Sequence, residues 1–240
     1  MPDSRTHRGP HPKDREQFAV RHHPALRSAA EELSWLLSRG YKTPSALKLV
    51  GDRYGLTVRQ RDAVSRAACS DLALDQRKEK CVDFGSIREL WVDGFNVLMS
   101  LEVALSGGLL LRARDHCVRD LASVHGTYRS VEETDEAIDL LLAALAGGSL
   151  ERIVLMLDSP VSNSGRLAQK IRRRAPRGMG LEVMLGPAVD FALIHSARPV
   201  ATADSAILDR AEQWVNLAWA IISTQVPDAW VVDLAPSGRA

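Results

Sequence analysis

The sequence predicts an α/β layer fold preceded by a small helical module. From about residue 23 to residue 69 the apolar side chains recur at helical spacing, whereas from residue 87 onward short apolar runs alternate with amphipathic stretches. Buried parallel strands joined by helices produce the second pattern, because each strand is covered on both faces. The 240 residues, 45% of them hydrophobic, suffice for one good core or two small ones, which excludes a disordered or fibrous chain.

Composition and capping signals divide the chain into three parts. Residues 1–22 have the composition of a disordered tail, because Pro, His and charged residues leave little apolar surface to offset the entropy of ordering. Residues 23–85 are predicted to contain three helices and then a charged linker between Asp71 and Gly85. Thr57 is a candidate N-cap for the third of these helices. Residues 86–240 carry the predicted α/β domain.

The segment 45–67 resembles a helix-turn-helix with its turn at residues 54–56. Arg59 and Arg61 lie on the helix that follows this turn and are candidate RNA-binding residues. A small helical bundle with solvated arginines is an equally good interpretation. The distribution of charge favours binding, since the first 90 residues carry 17 basic and 12 acidic side chains and the remainder carry 14 and 18.

Aspartates stand at the points where the predicted strands end. Asp93 follows the first apolar run, Asp158 the second and Asp204 the fourth, while Asp190 opens the segment between the third and the fourth. Because ligands gather at the carboxyl ends of parallel strands, these four side chains are expected to converge. Repulsion among them is commonly relieved by Mg²⁺ or Mn²⁺, which prefer oxygen ligands. Two such ions can support a phosphodiester displacement, so the pattern predicts a metal-dependent nuclease, although each aspartate alone is also typical of a helix N-cap.

Further polar residues are expected near the same edge. Asp120 is a candidate additional ligand, with an ion pair as the alternative. Asp209 is a supporting candidate that faces either the same edge or solvent. A polar loop entering a helix is typical of phosphate binding and equally of ordinary turns, and its serines are Ser159, Ser162 and Ser164. The basic run that follows is a candidate RNA contact or a solvated helix face, and it comprises Lys170, Arg172, Arg173 and Arg174.

Several motifs, taken together, resemble the NYN branch of the PIN-like ribonuclease superfamily. More narrowly, the chain from about residue 32 resembles the uncharacterised domain-of-unknown-function family 434 paired with a PIN-like C-terminal domain. The motifs are ELSWLLSRGY at 32–41, SALKLVGDRYGLTVRQR at 45–61, DGFNVL at 93–98, RD at 119–120, LDSPVSNSG at 157–165 and ATADSAILD at 201–209.

The resemblance implies a Rossmann-like α/β/α sandwich with a mostly parallel sheet, whose aspartates bind Mg²⁺ or Mn²⁺ and cleave RNA. Asp93 matches the first-strand metal ligand, and Asn96 matches the polar residue that positions it. Asp158 matches the acid at the end of the second strand. The implied partner is RNA, such as tRNA or another structured RNA, and PIN-like domains often self-associate, which leaves a homo-oligomer open.

The remaining two acids, Asp204 and Asp190, differ in how closely their surrounding sequence matches the family motifs. Asp204 matches the acid of a Thr-x-Asp motif that begins at Thr202, and Ser205 follows it as a supporting residue. Asp190 looks like the third acid, although its surroundings, GPAVDFAL, depart from the Ala-Asp setting that is usual in the family.

Two other functions stay open. A non-catalytic RNA-binding or regulatory protein would have the same fold but too few acidic residues for catalysis. A phosphatase of the haloacid dehalogenase or Toprim type needs Asp-x-Asp after a strand, whereas here Phe95 stands two positions after Asp93, so this function ranks last.

The sequence also predicts a cytoplasmic protein with no membrane partner. The three cysteines have no spacing typical of a zinc site or a disulfide framework. The polar start lacks the apolar core of a signal peptide, and no apolar stretch reaches the length of about 18 residues that spans a bilayer.

Overall fold

The computed structural model describes residues 8–121 and 128–236. Its first five helices, α1 to α5, are Asp14–Gln17, His23–Ser38, Thr43–Arg53, Val58–Ala67 and Asp71–Lys80. The eight strands, β1 to β8, are Glu89–Asp93, Leu110–Arg112, Val118–Asp120, Arg152–Asp158, Leu181–Gly186, Val200–Ala201, Trp214–Val215 and Val231–Asp233. The other helices, α6 to α11, are Gly94–Leu105, Thr134–Ala146, Ser164–Arg174, Val189–Ile194, Ser205–Leu208 and Leu217–Gln225.

The main sheet contains five parallel strands in the order β5-β4-β1-β6-β7. Alternate side chains of these strands point to opposite faces, and each face is covered by helices. Helices α6, α7, α8 and α11 pack on one face, and α9 and α10 pack on the other. The expected Rossmann-like α/β/α sandwich is confirmed. Strands β1 and β6 are neighbours without being consecutive, so the order of the sheet reverses between them.

A second, three-stranded sheet joins the N-terminal helices to this sandwich. Its order is β3-β2-β8, with β2 antiparallel to β3 and parallel to β8. Leu111 and Val232 of this sheet share a buried cluster with Leu26, Leu33 and Val64 of the helices. The helical segment is thus built onto the α/β domain through a common core. Strands of three residues are too short to show alternation in a sequence, which is why β2 and β3 were not expected.

The N-terminal segment differs from the predicted disordered tail, of which residues 1–7 lie outside the described part. The ring of Phe18 is 1% exposed and packs in the core of the N-terminal helices. The buried carboxylate of Asp14 accepts a hydrogen bond of 2.8 Å from Nη2 of Arg59. Arg8 pairs with Glu102, which is buried in α6. Average composition hides such contacts, because one aromatic ring and two charge pairs suffice to anchor the segment.

Phe18→Ala is expected to lower the free energy of unfolding by about 3–5 kcal/mol, because it removes a buried ring and leaves a cavity. Urea denaturation of the full chain measures this change. Val20→Ala is the matched control, since Val20 is 78% exposed two residues away and its truncation should change stability by less than about 0.5 kcal/mol. Equal effects of the two substitutions would show that the segment is not packed.

The predicted linker also differs from the structure, since residues 71–80 form helix α5. The guanidinium of Arg77 in this helix is 3% exposed and donates hydrogen bonds to Asp115 and Asp209. A helix attached mainly by ionic hydrogen bonds has little apolar periodicity, so its sequence is typical of a linker.

Among the described residues, no helix has the length and apolar character needed to cross a membrane.

Candidate functional site

The four predicted aspartates lie along the carboxyl edge of the main sheet. Asp93 is the last residue of β1, and Asp158 is the last residue of β4, which is its neighbour. Asp204 follows β6 on the other side of β1, and Asp190 lies in the first turn of α9, after β5. The edge between β1 and β6 is where the strand order reverses, and this is the usual ligand site of an open α/β sheet.

A chain of hydrogen bonds links the end of β1 to the turn after β6. Thr202 donates from Oγ1 to Oδ2 of Asp93 at 2.8 Å, and the N–H of Asp204 donates to Oγ1 of Thr202 at 3.1 Å. The side-chain oxygen of Asn96 accepts the N–H of Ala203 at 2.8 Å. Because these bonds join two neighbouring strands, they fix Asp93 and Asp204 relative to each other.

Asp93 and Asp204 also cap helices, which was the alternative interpretation of each. Oδ1 of Asp93 accepts the N–H of Asn96 at 3.3 Å at the start of α6. Oδ1 of Asp204 accepts the N–H of Ala206 at 2.7 Å at the start of α10. The two roles are compatible. Asp204 remains exposed while it caps α10, and Oδ2 of Asp93, the oxygen that does not cap α6, accepts the hydrogen bond from Thr202.

The aspartates influence one another electrostatically. Burial, with a smaller contribution from the charges of Asp190 and Asp204, raises the pKa of Asp93 to about 7, against hydrogen bonds from Thr202 and from the backbone of Asn96. Burial and then the charge of Asp190 raise the pKa of the Asp158 carboxyl. Burial is therefore the main cause of these raised pKa values, and repulsion between the carboxylates adds to it.

Asp190 interacts electrostatically with both Asp158 and Asp204. Burial and the charge of Asp204 raise the pKa of Asp190, whereas Arg210 lowers it. Even so, among the described residues no three acidic, histidine or cysteine side chains are close enough to form a ready-made metal site. The carboxylates thus lie close enough to affect one another's pKa.

Gly94, directly after Asp93, is required by a close approach of α6 to β4. A Cβ at this position would lie 2.7 Å from side-chain carbons of Leu155 and Leu157 and 2.8 Å from the carbonyl oxygen of Met156. Gly94→Ala is therefore expected to lower the free energy of unfolding by about 1–3 kcal/mol, as overpacking does. Chemical denaturation measures this loss.

Gly165→Ala, in the first turn of α8, is the control for Gly94→Ala, because a Cβ at Gly165 meets open space. Equal or greater stability is expected for this second variant, since alanine favours helix more than glycine does. A neutral Gly94→Ala would mean that α6 can move away from β4 without cost.

A cleft of about 430 Å³ opens beside Asp204. Asn96 and Ser100 of α6 line one part of it, and Arg66 of α4 lines another. Arg66 donates to the main-chain carbonyl of Asp120 at 2.8 Å. Helix α4 thus forms part of the wall of a cleft that reaches Asp204. The volume of this cleft is in the range of about 300–1,000 Å³ typical of small-ligand sites.

The two additional candidate acids have different surroundings. Asp120 is 9% exposed, lines the cleft, and accepts a hydrogen bond of 3.4 Å from Oγ of Ser100. Asp209, for which a solvent-facing position was the alternative, is exposed and accepts a hydrogen bond of 2.7 Å from Nε of Arg77. Ser205 lines the cleft next to Asp204. Asp120 and Ser205 therefore line the cleft beside the site, whereas Asp209 is hydrogen-bonded to Arg77 outside the cleft lining.

The serines after Asp158 behave as turn residues in this structure. The N–H of Ser159 donates to the carbonyl of Gly186 at 2.8 Å, and Ser162 is exposed. Ser164 is buried at the start of α8, and its Oγ lies 3.5 Å from the carbonyl oxygen of Ser159. The N–H of Ser159 is thus already hydrogen-bonded within the protein and does not point toward a phosphate site.

The basic residues of α8 are mostly engaged within the protein. Lys170 and Arg174 pair with acidic side chains of α7, and Arg172 donates to a main-chain carbonyl of β5. Arg173 is exposed. Any contact of this run with RNA would therefore have to compete with existing ion pairs, except at Arg173.

The same correction applies to the helix-turn-helix candidates. Arg59 pairs with the buried Asp14, and Arg61 pairs with Asp52 at 2.8 Å and donates to the carbonyl of Leu56 at 3.0 Å. The side chains that the sequence presents as a free basic face thus hold the N-terminal helices together. The contact between Arg59 and Asp14 joins positions 45 residues apart, which no local pattern reveals.

The charged groups behind the Asp204 turn were not among the predicted site residues. Arg77, Asp115 and Arg119 are all at least nine-tenths buried, and both arginines donate hydrogen bonds to Asp115. The available signal was the occurrence of charged residues inside the apolar stretch LLLRARDHCVRD, at 109–120. Charged groups are rarely fully buried unless they are paired, so such a stretch indicates an internal ionic network.

Comparisons with known proteins give two family matches and one relative. The family described as a protein of unknown function (DUF434) matches residues 25–80, as the resemblance implied, and the family described as a domain of unknown function (DUF5616) matches residues 86–220. The uncharacterized protein MJ0935 of Methanocaldococcus jannaschii is 36% identical over 188 residues, which is 77% of this chain and 89% of that protein. No solved structure matches the chain. The chain therefore belongs to the family described as domain of unknown function DUF5616, with a DUF434 segment ahead of that domain.

Proposed function

We propose that the protein is a divalent-metal-dependent ribonuclease of the PIN-like type, and more narrowly of its NYN branch. The observation that carries this proposal is the meeting of Asp93 with the Thr202–Asp204 turn at the point where the strand order reverses. Asp158 and Asp190 lie near enough to this pair to take part in one negatively charged group. Carboxylates gathered at such an edge suit a cation and the phosphate it attracts.

The donor set fits Mg²⁺ or Mn²⁺. The candidate ligands Asp93, Asp158, Asp190 and Asp204 offer oxygen only, which favours hard cations over zinc. Burial and then the charges of neighbouring aspartates raise the pKa values of three of these groups, and binding a cation would offset that repulsion. When bound, the metal supplies charge for the phosphodiester transition state and lowers the pKa of the attacking water.

The chain's own residues orient the site. Thr202 holds one carboxylate oxygen of Asp93, and Asn96 holds the Ala203 amide, so the turn keeps its position relative to β1. The cleft beside Asp204 has room for part of a substrate strand next to the aspartates. Arg66 on its wall supplies positive charge for a backbone phosphate, since phosphate contacts dominate the affinity of nucleic-acid binding.

The preference for RNA is supported by the family resemblance of the motifs DGFNVL and ATADSAILD. The basic runs add less support than the sequence indicates, because Arg59, Arg61, Lys170 and Arg174 are in ion pairs. We therefore place the substrate contact in the cleft beside Asp204 rather than along α8.

A cleavage assay tests this function. Pooled tRNA and single-stranded RNA, end-labelled, are incubated with the natural protein in Mn²⁺, Mg²⁺ or EDTA, beside single-stranded DNA of the same sequence. Cleavage of RNA that requires metal and is lost in Asp204→Asn is the expected result. Asp228→Asn is the matched control, because Asp228 is an exposed aspartate in the connection between α11 and β8.

A different outcome favours the second candidate, a non-catalytic RNA-binding protein. The spacing of the described acidic residues, which form no ready-made metal site, is the observation on its side. Equal RNA binding by the natural protein and Asp204→Asn, with no cleavage in any metal, would establish that candidate and contradict the nuclease. Release of inorganic phosphate from small monoesters would instead indicate a phosphatase.

A further inference from the structure

Two buried guanidinium groups hold the turn that carries Asp204. Arg119 donates from Nε to the carbonyl oxygen of Ala203 at 2.8 Å, and Arg77 donates from Nη2 to the carbonyl oxygen of Ser205 at 3.4 Å. Ala203 and Ser205 are the two residues next to Asp204 in the chain. Side chains from two distant elements therefore fix the backbone on both sides of this aspartate.

Asp115 joins the two guanidinium groups. Its carboxylate accepts from Arg119 at 2.8 and 2.6 Å and from Arg77 at 2.6 Å, and the residue is 6% exposed. Burial raises the pKa of the Asp115 carboxyl, but the two arginines outweigh burial and hold it at about 2. Apolar side chains would join the same elements at a lower cost of desolvation, so the fixed geometry is what this trio adds.

Arg77 contacts both ends of the short helix α10. Besides the carbonyl of Ser205 at its start, Arg77 reaches Asp209 just beyond its end, with Nε 2.7 Å from Oδ1. The carbonyl oxygen of Arg77 in turn accepts the indole N–H of Trp214 at 2.7 Å. Helix α5 is thereby joined to β7 and to the whole turn that follows β6.

We propose that Arg77 and Arg119, joined by Asp115, are positioning residues that hold the Asp204 turn in the geometry of the candidate site. This inference rests on the proposed function and deepens it. Arg77 belongs to the segment that the DUF434 family covers, residues 25–80. The DUF434 segment therefore contributes a residue that positions the candidate site, in addition to any contact that the segment makes with a substrate.

Hydrogen exchange in the full chain tests the contact itself, without metal or substrate. Arg77→Met and Arg119→Met are expected to speed amide exchange across residues 201–209 relative to the natural protein. Arg114→Met is the matched control, because Arg114 neighbours Asp115 but bonds to Asp71 at 2.6 Å and to the carbonyl of Cys69 at 2.8 Å, at the start of α5. Exchange across 201–209 should stay unchanged in this control.

Mn²⁺ binding tests the link to Asp204. Arg77→Met is expected to weaken Mn²⁺ binding about 10- to 100-fold, as loss of groups that orient metal ligands does. In the Asp204→Asn background the same substitution should have no further effect, because the residue that it positions has already been removed. Arg77→Lys, which keeps the charge, should recover part of the affinity, and circular dichroism confirms that each variant folds.

The outcomes separate this inference from the proposed function. Unchanged exchange across residues 201–209 in both arginine variants would overturn the positioning role. So would an equal loss of Mn²⁺ affinity in the natural and Asp204→Asn backgrounds, since that pattern marks a general structural effect. Faster exchange together with no Mn²⁺ binding by the natural protein would remove the metal-dependent function and leave the positioning of the turn standing.

Discussion

Asp93→Asn is expected to lower the rate of RNA cleavage at least about a hundredfold, the effect typical of losing one preorganised electrostatic group. The same substitution should raise the stability of the protein at pH 8. The amide fills the same space and keeps an oxygen for the N–H of Asn96, while its NH₂ can donate to Oγ1 of Thr202. What the substitution removes is the charge, which is needed for metal binding and unfavourable for folding.

The sign of the stability effect follows from the pKa of Asp93. Burial raises this pKa to about 7 in the folded protein, above the ordinary value of 3.8 that holds in the unfolded chain. Between these values the folded state binds a proton that the unfolded state has lost, so stability falls as the pH rises from 4 to 7. The loss is complete above pH 7 and amounts to at most about 4 kcal/mol.

Urea denaturation in EDTA at pH 4.5, 6 and 8 measures this difference. Asp93→Asn should gain stability over the natural protein as the pH rises, with the greatest gain at pH 8 and little at pH 4.5. Asp228→Asn, an exposed control, should show no such trend. A variant that loses both stability and activity at pH 8 would indicate a structural role for Asp93 in place of the proposed one.

Strands β1, β4, β5 and β6 of the main sheet and the aspartates near their ends could be predicted because both depend on local pattern. Continuous apolar runs mark strands that are covered on both faces, and an acid directly after such a run necessarily lies at the carboxyl edge. The capping of α4 by Thr57, which forms a capping box with Gln60, is local in the same way. Helix α7, Thr134–Ala146, has the acidic residues Asp135 and Glu136 in its first turn, which is a local signal of the same kind.

The contacts of the charged residues could not be predicted, because their partners lie far away in the chain. Arg59 and Asp14 are 45 residues apart, and Arg77 and Asp209 are 132 residues apart. A guanidinium in a sequence has the same local pattern whether it is solvated or paired. Positive charge near the N-terminus therefore predicted a nucleic-acid surface, whereas much of it serves to join the N-terminal helices to the rest of the fold.

The position of the N-terminal segment depends on the second sheet, which is also non-local. Strand β2 pairs with β8 in parallel, although about 120 residues separate them, as in the register of Leu111 with Val232. Three-residue strands carry no periodicity of their own. Once they pair, their apolar face must be covered, and the helices α2 to α4 cover it. The shared core thus follows from a pairing that composition does not reveal.

Mn²⁺ affinity is expected to fall about tenfold for each pH unit below 7, because a cation must displace the proton of Asp93 before that carboxylate can act as a ligand. The raised pKa of Asp93, about 7, sets the pH at which this competition begins. Above pH 7 the affinity should level off. The pKa values of Asp158 and Asp190 are raised as well, so the slope should steepen at lower pH, where these groups take up protons.

Electron paramagnetic resonance of free Mn²⁺ measures the affinity of the full chain at pH 5.5, 6.5, 7.5 and 8.5. In Asp93→Asn the slope between pH 6 and 7 should disappear, leaving weaker binding that changes only where the other aspartates titrate. Affinity that is independent of pH down to 5.5 would exclude Asp93 as a ligand. If the carboxylates share the cation as proposed, cleavage at limiting Mn²⁺ must follow the same pH curve, and saturating Mn²⁺ must shift that curve to lower pH, since metal and proton compete for one group.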